Sequence, residues 1–284
     1  MRRNLSFLSH SMAIGTLVLA SCSTFAATVT AEAGGSNIAD VSETSASAQA
    51  NAQANNGEGS SSAFINQNGV SAVFAQASSA NGQTGNSNFA RANWSDTIVN
   101  DTGFAQNYRL SFSLPNIRLE LSGSGSDSSS DHMHARYLVE IRLNGNAIFH
   151  SNAELSGGRN GFVLSEGGTD LGGVQFGNPP NDFTFGFDFG SQTPRLLDLT
   201  SLSDGGSFLL ETLIQADVDY PGFEVGALAR IGDPGNISFD PGLAFSVNAE
   251  QLAVPVPASL PLLLTACGWL ATNRLKRKTS VLAS

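Results

Sequence analysis

The side chains able to do chemistry are few and scattered. The histidines of the body are His132, His134 and His150. Asp131-His132-Met133-His134 sets two imidazoles two residues apart beside a carboxylate; on a strand both would share one face, the beginning of a metal site. In a loop the same residues are ordinary solvent-exposed polar sequence. Hard oxygen donors are more numerous. Asp127 and Asp131 lie in a Ser-rich stretch, Asp217 and Asp219 alternate along one strand face, and Asp233 and Asp240 sit in turns. Ca2+ takes about six to eight oxygens from loops of this kind. No EF-hand spacing and no repeated Gly-Asp nonapeptide accompanies them, and Asp in a turn also bonds its own backbone. The expectation is therefore no cofactor, with Ca2+ at Asp127, Asp131, Asp217 and Asp219 as the one candidate. Nucleophilic catalysis needs a base beside the nucleophile, and no Gly-x-Ser-x-Gly elbow occurs. Carboxylate pairs could cleave glycosides, but the sequence singles out no pair. An enzyme is not expected.

Composition bounds the partners. The chain has 284 residues, 13% of them charged, with 14 Lys+Arg against 24 Asp+Glu. That is roughly half the usual charged share of a globular chain, so Ser, Asn, Gln, Thr and Gly must supply the polar surface. The acidic balance excludes nucleic acid as a partner, because phosphate binding needs clustered Lys and Arg. It also disfavours an anionic membrane surface.

Both ends look like export signals. Arg2 and Arg3 precede an apolar run, Met12 to Ala20, and small residues follow with Thr24 and Ala26 placed for cleavage between Ala26 and Ala27 by signal peptidase. Leu19-Ala20-Ser21-Cys22 also fits a lipoprotein pattern, in which Cys22 would be lipidated and become the mature N-terminus. At the other end Val254-Pro255-Val256-Pro257-Ala258 opens an uncharged apolar stretch that runs to Thr272. Arg274, Lys276, Arg277 and Lys278 then close it as a basic stop-transfer cluster. The two cysteines, Cys22 and Cys267, both fall in these end segments, so the body carries no disulfide.

The three-part C-terminus resembles the PEP-CTERM sorting signal in its VPxPA variant. Val254, Pro255, Pro257 and Ala258 match the motif, and Ser259-Leu260-Pro261-Leu262-Leu263-Leu264 begins the membrane segment. Lysines at 276 and 278 and the trailing 279–284 depart from an all-Arg end. The resemblance implies a Gram-negative exported protein. It would be held briefly in the inner membrane, cut near Pro257 by an exosortase-type protease, and released to the cell surface or matrix.

The elements between the ends read as β. Ala46, Ala48, Ala50, Ala52 and Ala54 alternate with Ser47, Gln49, Asn51 and Gln53, which is either an edge strand or a low-complexity linker. Tyr108, Leu110, Phe112 and Leu114 alternate with polar residues, and Ile117, Leu119 and Leu121 continue the pattern beyond Pro115. Asn144-Gly145 between two alternating runs is a hairpin signal, since both residues tolerate positive φ. Phe183, Phe185, Phe187 and Phe189 read as the core face of a strand. The two longest irregular stretches are Gly123 to Met133 and Gly157 to Asn181. The predicted organisation is a signal peptide at 1–26, a linker at 27–39 and one all-β domain at 40–252. The sorting segment is 253–284, with motif 254–258, transmembrane helix 259–273 and basic end 274–278. Many short strands with Gly/Pro turns predict a single antiparallel β-sandwich of jelly-roll type.

Two functional classes follow. One is a non-enzymatic surface or matrix protein, structural or adhesive within an exopolysaccharide biofilm, as the resemblance implies. The other is a carbohydrate-binding jelly-roll module, with or without Ca2+, that stacks sugars on Trp94, Tyr108, Tyr137 or Tyr220; the ordinary place for each of these is the core.

Overall fold

Asn144 and Gly145 adopt φ of 50° and 78°, both left-handed, and the chain reverses on them. The strands they join are β8 (Met133–Leu143) and β9 (Asn146–Gly158), antiparallel neighbours. The Asn144 side chain also ties the turn to the next strand: its Oδ1 accepts the Leu209 N–H at 2.9 Å. The computed structural model describes residues 27–35, 38–44, 47–53, 59–78, 86–123, 133–158, 161–177, 184–220, 225–234 and 242–252. Among these every regular element is a strand.

Before the hairpin come β1 (Thr28–Gly35), β2 (Ile38–Thr44), β3 (Ser47–Gln53), β4 (Gly59–Asn66), β5 (Val70–Ser78), β6 (Asn86–Val99) and β7 (Gln106–Gly123). After it come β10 (Gly161–Gly168), β11 (Val174–Phe176), β12 (Thr184–Leu202), β13 (Ser207–Tyr220), β14 (Val225–Ile231) and β15 (Leu243–Gln251). They form two antiparallel sheets. The first has the order β10-β9-β8-β13-β6-β1-β2; the second has β11-β12-β7-β14-β5-β4-β3, with β15 pairing β5 and β7. The chain divides into two units, Met1–Glu250 and Gln251–Ser284; of the second, only residues 251–252 are described.

Period-two alternation explains why these segments bury one face. In β8 the odd-numbered Met133, Ala135, Tyr137, Val139 and Ile141 are buried, while His134, Arg136, Leu138 and Glu140 are only partly covered. The inner faces of both sheets share one core. Its aromatic contacts run from sheet to sheet: Trp94 meets Phe245 edge-on at 4.8 Å, Phe112 meets Phe149 at 4.8 Å, and Tyr137 meets Phe189 at 5.3 Å.

The sequence expectations and the structure part in three places. The expected linker at 27–39 instead contains β1, which sits between β2 and β6 with Val29, Ala31 and Ala33 fully buried. Alanine carries little apolar area, so these positions gave a weak signal; they bury because Ala31 and Ala33 lie opposite Ala92 and Ala90, small against small. The expected irregular stretch Gly157 to Asn181 holds β10 and β11, both sheet edges with little buried surface of their own. The Phe-rich strand also does not stop at Phe189: β12 continues to Leu202 along β7, with register shifts between Phe189 and Arg195. Of the alanine repeat, left open between strand and linker, residues 47–53 form edge strand β3 on β4, while Ala46 and Ala54 lie outside the described residues.

Candidate functional site

The outer face of the second sheet carries a cleft. Alternation puts Ile117, Leu119 and Leu121 of β7 into the core, so Arg118 and Glu120 face out. The register then aligns a row across the sheet: Val174 of β11, Asp188 of β12, Arg118 of β7, and Arg230 of β14. Arg118 binds the carboxylate of Glu120 at 2.8 Å and approaches Asp188 at 3.9 Å. Its guanidinium lies 4.1 Å from the centre of the Phe176 ring, a cation–π contact. Gly186 makes the seat for that ring. A Cβ there would collide with the Leu119 carbonyl and come within 2.7 Å of Phe176. The cleft encloses about 390 Å3 and is lined by Asn116, Arg118, Gly172, Asp188, Gly190 and Arg230, among others. That volume falls in the range of about 300–1,000 Å3 usual for small-ligand sites.

Chemically the cleft offers planar N–H donors from arginine, the Asp188 carboxylate and the Asn116 side-chain amide. The glycines keep its wall low. Such side chains can donate hydrogen bonds to hydroxyls and accept them. Among the described residues the cleft places no nucleophile beside a base, and its carboxylate, Asp188, faces the Arg118 guanidinium.

The outer face of the first sheet carries two chains of polar and charged contacts. Glu154 of β9 accepts from His134 at 2.7 Å and from Arg136 at 3.0 Å; Arg136 reaches on to Asp219 of β13 at 2.7 Å. Asp217 accepts from Gln215 at 2.7 Å, Gln215 accepts from Arg91 of β6 at 3.0 Å, and Arg91 approaches Glu32 of β1 at 3.5 Å. Burial alone would raise the Glu154 pKa, but hydrogen bonds from Arg136 and His134 outweigh it and hold the carboxyl below its ordinary value. For Asp217 burial wins and the pKa is raised, despite Gln215, Arg136 and Arg91. A smaller depression of about 130 Å3 on this sheet is lined by Asn93, Ser95, Glu140, Arg142 and Glu211, among others; there Arg142 and Glu140 pair at 2.7 Å.

The candidate residues can now be placed. Asp217 and Asp219 do share a face, but each is already engaged, and a cation at Asp219 would have to displace Arg136. Among the described residues no three of His, Cys, Asp or Glu group as metal ligands. His134 stands in strand β8 against Glu154, so it is not a loop residue. Asp127, Asp131, His132, Cys22, Ala26, Val254–Ala258 and the basic Arg274, Lys276, Arg277 and Lys278 lie outside the described residues, as do the segments expected to be a signal peptide and a sorting helix. Of the aromatics proposed to stack sugars, three are in the core. Trp94 donates its indole N–H to the Gln67 carbonyl at 3.1 Å, Tyr108 packs edge-on against Phe208, and Tyr137 bonds Ser151. Burial pushes the Tyr137 phenol up to about 12. None of the three can meet a polymer on the surface.

Arg118, Asp188 and Phe176 were not singled out in the sequence. Alternation alone predicts that Arg118 and Asp188 face out. What brings them together is the β7–β12 register, which no local pattern carries. Comparison of the sequence with protein-family models and with curated proteins finds no match.

Proposed function

We propose that the chain is an exported, non-enzymatic surface or matrix protein that holds a neutral, hydroxyl-rich polysaccharide on the outer face of its second sheet. The observation that carries the reading is the Arg118 cleft. Paired guanidinium and carboxylate groups stand beside Asn116 in an open groove, suited to hydrogen bonds with hydroxyls in both directions. The engagement of the outer-face carboxylates by arginines, His134 and Gln215 supports a binding role over catalysis. Neutral polymer is favoured over anionic polymer because eight arginines face 24 acids once the basic ends are set aside.

We read the two sheets as a β-sandwich of jelly-roll type. The non-consecutive neighbours β6–β13, β8–β13, β7–β14 and β5–β14 support crossing connections between the sheets. The export route follows from the sequence: signal peptidase at Ala26–Ala27, transient inner-membrane anchoring, and exosortase-type cleavage near Pro257. Lipidation at Cys22 is the alternative anchor, and a Ca2+-dependent binding mode is the alternative for the body.

Affinity electrophoresis of the full chain through gels cast with hydroxyethyl cellulose, or with alginate, tests the binding. Retardation by the neutral polymer is expected, with no new reducing ends. Equal mobility in all gels, or release of reducing ends, would overturn the proposal.

A further inference from the structure

The edges of the two sheets are not alike. In the first sheet, edge strand β2 holds Asp40 and Glu43 and edge strand β10 holds Glu166; in the second, β11 is only three residues long. Charge and shortness are the usual means by which an edge refuses another strand. The remaining edge, β3, uses neither. It is seven residues, SAQANAQ, without charge or proline, and among the described residues it pairs only with β4. The two strands behind it, β4 and β5, also carry no charged residue and no proline. In a body with such an excess of acids, strands β3, β4 and β5 are uncharged, although β2 of the first sheet, which lies against β3, brings Asp40 and Glu43 to the same flank.

The sequence of β3 is also complementary to itself. Antiparallel pairing about Ala50 sets Ala48 opposite Ala52 and Gln49 opposite Asn51 of the second copy, with Ser47 opposite Gln53. By alternation alanine then stands opposite alanine and amide opposite amide in the paired sequence, while the backbone groups of β3 that pair with no other described strand complete a ladder. We infer that β3 is a homotypic docking edge, on which a second copy of this chain adds its own β3 in antiparallel register centred on Ala50, joining the two second sheets into one. The Arg118 cleft lies toward the other end of that sheet, at β11, β12 and β7, so this inference and the polysaccharide reading stand or fall separately.

The test is disulfide trapping in the full chain with Cys22→Ser and Cys267→Ser. Directly opposed residues in an antiparallel pair have Cα atoms about 4.5–5.5 Å apart, within disulfide reach. Under mild oxidation Ala50→Cys should give a covalent dimer, and Ser47→Cys at least tenfold less. Adding Gln49→Lys and Asn51→Lys to Ala50→Cys opposes lysine to lysine twice and should lower the dimer several-fold. Adding Gln49→Glu and Asn51→Lys instead opposes Glu to Lys and should restore it, which separates docking from misfolding. No dimer through residue 50, equal dimer through 47 and 50, or indifference to the charge pairs would overturn the inference.

Discussion

Asp96 is the side chain least at ease in its surroundings. It points to the inner side of β6 between Trp94 and Ile98, is 6% exposed, and its Oδ1 has no hydrogen-bond partner. Burial raises its pKa, against a smaller opposite effect from the Thr97 backbone N–H. The sign of the consequence follows from linkage. A carboxyl with a raised folded pKa takes up its proton in the folded state first, so stability rises as pH falls through that pKa. Above it the ionised group costs stability in full. Asp96→Asn should therefore raise the melting temperature at neutral pH, and the gain should shrink as pH falls through the carboxylate range. Thermal unfolding of both proteins across that range checks it; a gain that is constant with pH would show that charge is not the cause. Asp217 shares the direction of shift but faces outward and accepts from Gln215, so its side chain is better served.

At the scale of elements, the β8–β9 hairpin rests on backbone conformation. Nothing lies within 4 Å of a Cβ added at Gly145, yet its φ is 78°. Gly145→Ala should cost about 1–2 kcal/mol, the strain of an L-residue in the left-handed region, read as a lower denaturant midpoint with an unchanged slope. No loss would mean that the turn relaxes into another type. This hairpin was legible in the sequence because its signal is local. So were the inner faces of β7 and of the Phe-rich half of β12, where large side chains recur at period two. β1 was not, because Val29, Ala31 and Ala33 bury by their position between two strands and carry little apolar area themselves. β10 was not, because it contributes to the core mainly through Phe162, which packs on Phe185 at 4.9 Å. The site was legible only in half. Alternation turned Arg118 and Asp188 outward, but their meeting depends on which strands are neighbours, and that is decided by the packing of the whole chain.

At the scale of the molecule, charge separates the body from its ends. All four lysines and arginines of the C-terminal cluster lie beyond residue 252 and both of the N-terminal arginines before residue 27; all 24 acids lie between residues 32 and 250. Loss of the ends would leave an acidic body that is soluble and repels anionic polymer. In a cell that carries an exosortase-type protease, replacing Pro255 and Pro257 by alanine, or deleting Arg274 to Lys278, should retain the chain in the membrane fraction. Normal release into the medium would rule out the sorting route. The polymer contact is tested most directly by comparing Arg118→Gln with the parent chain in hydroxyethyl cellulose gels, since that change keeps side-chain N–H donors but removes the guanidinium that organises Phe176, Glu120 and Asp188. The expected result is strong retardation of the parent, at least a tenfold weaker affinity in the variant, unchanged far-ultraviolet circular dichroism, and no reducing ends from either. Equal retardation of parent and variant, or reducing ends released by the parent, would contradict the account.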